Sequence, residues 1–372
     1  MSTAAEEPLP RISPPAPLPV PAEPAPPLDT ELSPEKNSGE PPKKKASNAF
    51  WTVVKLLVAL ALMVYLWRSK AINFEKVGSA VVNPSWFVPA VLVAFASIAI
   101  ITIRWWLLLR LEKIEIPLSA ALKLTLVGQF WNNVLPGAVT GDIVKMYYIG
   151  KKSPDKKAEA YATVMIDRVV GLAALIYVGF FAAMTNQEFV LAPDHQKLRL
   201  TFYGNTILAV GFTVGILALV LGVGRKSSFA EKLRGSSLPA IDGIRRGYRT
   251  LIRLGERPSV LFASFALGML SHALLVVIGI VSAHALGETD LALSTHGFVI
   301  PIGLLVNSIP IGLPGGLGAG EAAFGQLYSW AGAVAELGAS VMLLLRIAQL
   351  GWGLVGGVIY IFDRKALTPQ EP

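Results

Sequence analysis

Leu313-Pro-Gly-Gly-Leu-Gly-Ala-Gly-Glu321 interrupts one apolar stretch, residues 297–335. Asn132-Asn-Val-Leu-Pro-Gly-Ala-Val-Thr-Gly-Asp142 interrupts another, residues 117–150. Proline removes a backbone donor and glycine loosens the helix, so no helix passes either cluster unbroken. The surroundings are nonetheless apolar. Of 372 residues, 53% are hydrophobic and only 16% charged, where soluble domains carry about 25%. Mean hydropathy is +0.55. Irregular backbone at membrane depth must be buried in protein or line a wet cavity. Both stretches are therefore read as re-entrant hairpins: a half-helix in, a turn, and a half-helix out.

Outward from these hairpins lie runs able to supply the roughly 20 apolar residues that a bilayer crossing needs. Six qualify: 50–68, 84–104, 161–184, 201–224, 259–286 and 337–362. Trp51, Trp67, Trp86, Trp105, Trp106 and Tyr203 lie at their ends, as expected of interfacial aromatics. Segments 104–115, 151–160 and 225–258 hold three, four and nine Lys/Arg, whereas 69–83, 185–199 and 287–296 hold two, two and none. The positive-inside rule puts the first three in the cytoplasm. That pattern holds only if each hairpin returns to its own side, which places both termini in the cytoplasm and the chain in the inner (cytoplasmic) cell membrane.

The motif residues repeat. Leu135-Pro136-Gly137 precedes Gly141-Asp142, and Leu313-Pro314-Gly315 precedes Gly320-Glu321; an arginine follows each acid within the next span, Arg168 and Arg346. Three spans per half force the halves to be antiparallel, the architecture of many transporters. The expected fold class is an all-α polytopic membrane protein, with six transmembrane helices and two re-entrant broken-helix hairpins in an inverted-topology repeat. Residues 1–49 hold 13 of the 26 prolines and read as a disordered cytoplasmic tail without a signal peptide. Residues 50–184 form the first membrane repeat, 185–362 the second with its basic cytoplasmic loop 225–258, and 363–372 a short cytoplasmic tail.

At these residues the chain resembles the lysylphosphatidylglycerol synthase transmembrane family, also called flippase-like integral membrane proteins. The likeness rests on Gln129–Tyr148, on Asp167-Arg168-Val-Val-Gly171 and on Leu313–Ala323, in that order. Thr140 replaces a glycine of the usual pattern, Lys145 stands where arginine is common, and no basic residue precedes Glu321. The resemblance implies lipid-linked work: moving an anionic or aminoacylated phospholipid, or a polyprenyl-phosphate-linked sugar, across the bilayer. The full-length synthases carry a soluble aminoacyl-transfer domain, for which the ten residues after the last span leave no room.

Charges at mid-bilayer cost about 2.5–3.5 kcal/mol each on insertion scales, so Asp142, Asp167, Arg168, Glu321 and Arg346 should face the bundle interior. In one reading they pair, Asp142 or Asp167 with Arg168 and Glu321 with Arg346, or the acids cap helices. In the other the arginines grip a lipid phosphate, which their planar fork fits. Orphan N–H groups after Gly137 and Gly315 favour an anion. Asn132, Asn133 and Asn307 would bond a headgroup or satisfy the broken backbone. Arg245, Arg246, Arg249 and Arg253 fall near one face of an amphipathic helix expected on anionic lipid.

With no cysteine and four scattered histidines, thiolate sites are excluded and neither a metal nor another cofactor is implied. No Ser-His-Asp set or nucleotide loop is evident, so no catalytic residue is assigned and a transporter is favoured over an enzyme. The expected partner is a membrane phospholipid or polyprenyl-phosphate lipid, with no nucleic acid. The alternative is a membrane subunit acting with a separate transferase. Oligomeric state is not legible.

Overall fold

The computed structural model describes residues 72–134, 139–223, 239–309 and 318–363, with backbone alone for 239–244. The tail 1–49, the span 50–68, both Leu-Pro-Gly turns with Gly137 and Gly315, part of the basic loop and residues 364–372 lie outside the described residues.

Every regular element described is helical. Helix α1 (Phe74–Val82) meets α2 (Pro84–Leu111) at Asn83, whose side chain accepts from the Ser85 N–H at 3.0 Å. Pro84 opens α2 where no donor is needed. Then come α3 (Leu118–Val134), α4 (Thr140–Lys152), a 3-10 turn (Pro154–Lys156) and α5 (Lys157–Met184). A short α6 (Gln187–Val190) and α7 (Gln196–Val220) lead to α8 (Pro239–Gly255) and α9 (Pro258–Ala285). The last described elements are α10 (Leu293–Asn307), α11 (Ala319–Trp330) and α12 (Ala335–Phe362).

Among the described residues five helices are long and apolar enough to cross a membrane: α2, α5 with its leading turn, α7, α9 and α12. The protein is thus an all-α, multi-pass membrane protein. Helices α3, α4, α10 and α11 have 17, 13, 15 and 12 residues. At 1.5 Å per residue each falls short of the roughly 30 Å apolar core.

The series α2–α5 and α9–α12 match element by element. Helices α2, α5, α9 and α12 are all 28 residues long, and each short pair sits between two of them. Partners are exchanged between the series: α2 packs on α9, α3 on α12 and α10 on α5. Small residues permit this, as between membrane helices generally. A Cβ on Gly356 of α12 would stand 2.0 Å from the Leu126 carbonyl oxygen of α3, and one on Gly141 would stand 2.1 Å from that of Gly128.

One boundary needs correction. The loop predicted from residue 104 is still helix: α2 runs on through Leu111, and Arg104 and Trp105 are buried in it. The apolar run resumes after Arg104, and a carboxylate meets its charge. Trp105 and Trp86 are buried core anchors. Their indole N–H groups donate to Thr163 Oγ1 (3.3 Å) and Ser282 Oγ (3.2 Å). Of the basic helix α8, one edge is docked on protein, a contact the sequence did not show. Arg253 forks onto buried Glu112 at 3.0 and 2.5 Å, while Arg249 stays exposed.

Candidate functional site

The second short helix of each series carries its acid at the third position, Asp142 in α4 and Glu321 in α11. Each following long helix carries its arginine at the twelfth, Arg168 in α5 and Arg346 in α12. Both acids meet their arginines: Asp142 Oδ2 lies 2.5 Å from Arg168 Nη1, and Glu321 Oε1 lies 3.0 Å from Arg346 Nη2.

The two helix starts are capped differently. Gly318 precedes α11 with φ of 85°, a left-handed conformation that glycine adopts without a Cβ penalty. Its N–H donates to Glu321 Oε2 at 2.6 Å, so Glu321, 1% exposed, both caps the helix and pairs with Arg346. At α4 these roles are divided. Asn132, near the end of α3, accepts the Gly141 N–H at 2.7 Å, which leaves Asp142 to hold Arg168.

Asp167 does not pair with its neighbour Arg168. It takes Arg104 of α2 at 2.7 Å, with both side chains buried. Gly171 and Gly268 make room for that guanidinium: a Cβ on either would stand 3.0 Å from one of its nitrogens. Sequence reading missed Arg104 as a site residue. A signal existed, since three interior acids need three cations.

These groups share one cavity of about 330 Å³. Of the predicted residues it is lined by Asn132, Asn133, Asp142, Asp167, Arg168, Asn307 and Arg346; Glu321 stands behind Arg346. The structure adds Arg104, Lys145 and His272 to the lining. Lys145 is buried with its ammonium 4.1 Å over the Trp105 ring. The His272 Nε2–H donates to the Gly171 carbonyl at 3.1 Å. Arg168 reaches further: its Nη2 donates to the Ser308 carbonyl just past α10 at 3.3 Å. The cavity therefore lies where the two helix series meet.

Chemically this chamber is lined by guanidinium, ammonium, carboxylate and amide groups, with each guanidinium paired to a carboxylate. Among the described residues no three of His, Asp or Glu gather to hold a metal ion.

Comparison with known proteins agrees with the motif reading. Residues 52–357 match the family described as Lysylphosphatidylglycerol synthase TM region. A UPF0104 membrane protein of Methanothermobacter thermautotrophicus is 28% identical over 283 residues, which is 71% of this chain and 81% of that protein. A UPF0104 membrane protein of Pyrococcus horikoshii is 25% identical over 305 residues, 76% of this chain and 88% of its own length. With its motifs and helices matched over that range, the chain belongs to the Lysylphosphatidylglycerol synthase TM region family.

Proposed function

We propose that the protein is a lipid translocase of the cytoplasmic membrane, moving an anionic, aminoacylated or polyprenyl-phosphate-linked lipid between leaflets. One observation carries this reading. A polar cavity is built from both helix series, with its arginine–carboxylate pairs beside the ends of four helices too short to cross. A lipid phosphate needs a polar path while its chains stay in the membrane. In this reading α3–α4 and α10–α11 are re-entrant hairpins entering from opposite faces, the termini are cytoplasmic, and each hairpin supplies half the path. The arginines exchange a carboxylate for the phosphate as it passes.

The family description favours a second reading, a membrane subunit serving a separate lipid-modifying transferase. Purified protein in liposomes with a fluorescent anionic phospholipid separates the two. Protein-dependent access of a membrane-impermeant reductant to inner-leaflet probe, lost in folded Arg168→Ala, supports translocation. Full protection of the inner leaflet for every lipid class tried removes it.

A further inference from the structure

Helix α8 roofs a space that it does not fill. It meets protein at two glycines: a Cβ on Gly247 would stand 3.8 Å from the Ala162 Cβ of α5, and one on Gly255 would stand 2.5 Å from the Leu219 carbonyl oxygen of α7. Between these contacts Leu251 stays 37% exposed. Beneath it α5, α7 and α9 leave a groove of about 1300 Å³, above the roughly 300–1,000 Å³ of small-molecule sites. The groove shares no lining residue with the polar cavity.

The groove is graded in polarity. Buried Val170, Leu254 and Leu261 form its base. Gly211 and Gly215 leave its α7 wall open, since a Cβ on either would find nothing within 4 Å. Only Tyr161 and Tyr248 bring polar side-chain atoms to the lining, one beside the Ala162 contact and one on α8 itself. Charge lies just beyond them. On the helix surface Arg245 neighbours Tyr248, and Arg249 neighbours Ile252, at a spacing of three; Arg249 is exposed. Residues 245–257 hold five arginines against Glu256. Glu159 and Glu112 meet Arg246 and Arg253, which leaves this end positive. An apolar depth, a phenol rim and a cationic edge follow the order of tail, interface and phosphate in an anionic phospholipid.

We propose that the groove seats one anionic phospholipid, with an acyl chain against Gly211 and Gly215 and its phosphate at Arg249, and that this lipid fastens the middle of α8 to the bundle. The site is separate from the polar cavity, and it stands whether or not that cavity moves lipid.

The test is photolabelling of the full chain in detergent. The probes are phosphatidylglycerol with a diazirine on its acyl chain and the matching phosphatidylcholine, with labelled peptides mapped by mass spectrometry. Phosphatidylglycerol should mark 158–173, 207–223 and 247–254 at least about fivefold more than phosphatidylcholine, the scale of one arginine at an anionic surface. Excess unlabelled phosphatidylglycerol should remove that label and lower hydrogen–deuterium exchange across 245–255. Gly215→Leu puts a side chain into the open groove and should abolish the label there. Gly204→Leu, equally open but outside the lining, should keep it. Arg249→Gln, at an exposed position, should bring the two probes level, and it reads the site even where Gly215→Leu fails to fold. Label that is equal for both probes and that no competitor removes overturns the proposal, because it marks general boundary lipid. A groove closed to both probes also overturns it, and light scattering then shows whether a second copy of the chain fills the groove. Unchanged preference in folded Arg249→Gln overturns the phosphate seat.

Discussion

Arg168 joins the two helix series: one guanidinium nitrogen holds Asp142 of α4 at 2.5 Å, and another donates to the Ser308 carbonyl beyond α10 at 3.3 Å. A lysine keeps the charge but lacks the fork, so it cannot hold both partners as the guanidinium does. Under the proposed function, Arg168→Lys is expected to fold yet to slow lipid movement to near the protein-free rate. Reductant access in liposomes, beside size-exclusion and circular dichroism profiles, checks this. Wild-type rates in Arg168→Lys would show that the double contact is dispensable.

The two arginines should differ in what they cost. Glu321 is sealed, its side chain 1% exposed, whereas the Asp142 side chain is 18% exposed. Stripping the counter-ion from a sealed carboxylate costs about 3–5 kcal/mol. Arg346→Ala should therefore lower the melting midpoint in detergent far more than Arg168→Ala does. Adding Glu321→Gln, whose amide oxygen still accepts from Gly318, should recover most of the loss. Equal midpoints for the two alanine variants would contradict the burial argument.

Gly356 lets the α12 backbone touch α3, with a hypothetical Cβ 2.0 Å from the Leu126 carbonyl oxygen. Gly351, one and a half turns earlier, has nothing within 4 Å. Gly356→Ala is expected to push the helices apart and cut the yield of monodisperse protein severalfold. Gly351→Ala should be neutral or slightly stabilising, since alanine is the better helix former by about 1 kcal/mol. Fluorescence-detected size exclusion reads both.

Helix α8 is held at its C-terminal end by Arg253 on Glu112. Glu112→Gln removes the buried charge and half of the fork. Hydrogen–deuterium exchange across residues 239–255 should rise, while peptides from α3 and α12 keep wild-type protection. Unchanged exchange in α8 would mean its apolar face alone holds it.

Much of the site was legible because helical geometry is periodic. A Leu-Pro-Gly cluster, an acid and an arginine 25 or 26 residues on read out as a break, a cap position and a facing cation. Arg104 was not legible, because it falls where the first apolar run pauses and reads as flanking charge. Adjacent helical residues point about 100° apart, so Asp167 and Arg168 could not serve the same partner, and Asp167 required a cation from another helix. The division of roles at α4, with Asn132 as the cap and Asp142 as the ion-pair partner, was equally hidden. It depends on the distance across a turn rather than on spacing along the chain.

The exchanged packing has a consequence for assembly. Helix α3 finds its seat on α12 and α10 finds its seat on α5, so neither series is a finished object. During synthesis the earlier helices must wait in the membrane, with Asp142, Asp167 and Arg104 close together but the α12 groove absent. The chamber is complete only when α12 takes its place against α3, so the first series by itself lacks part of the lining.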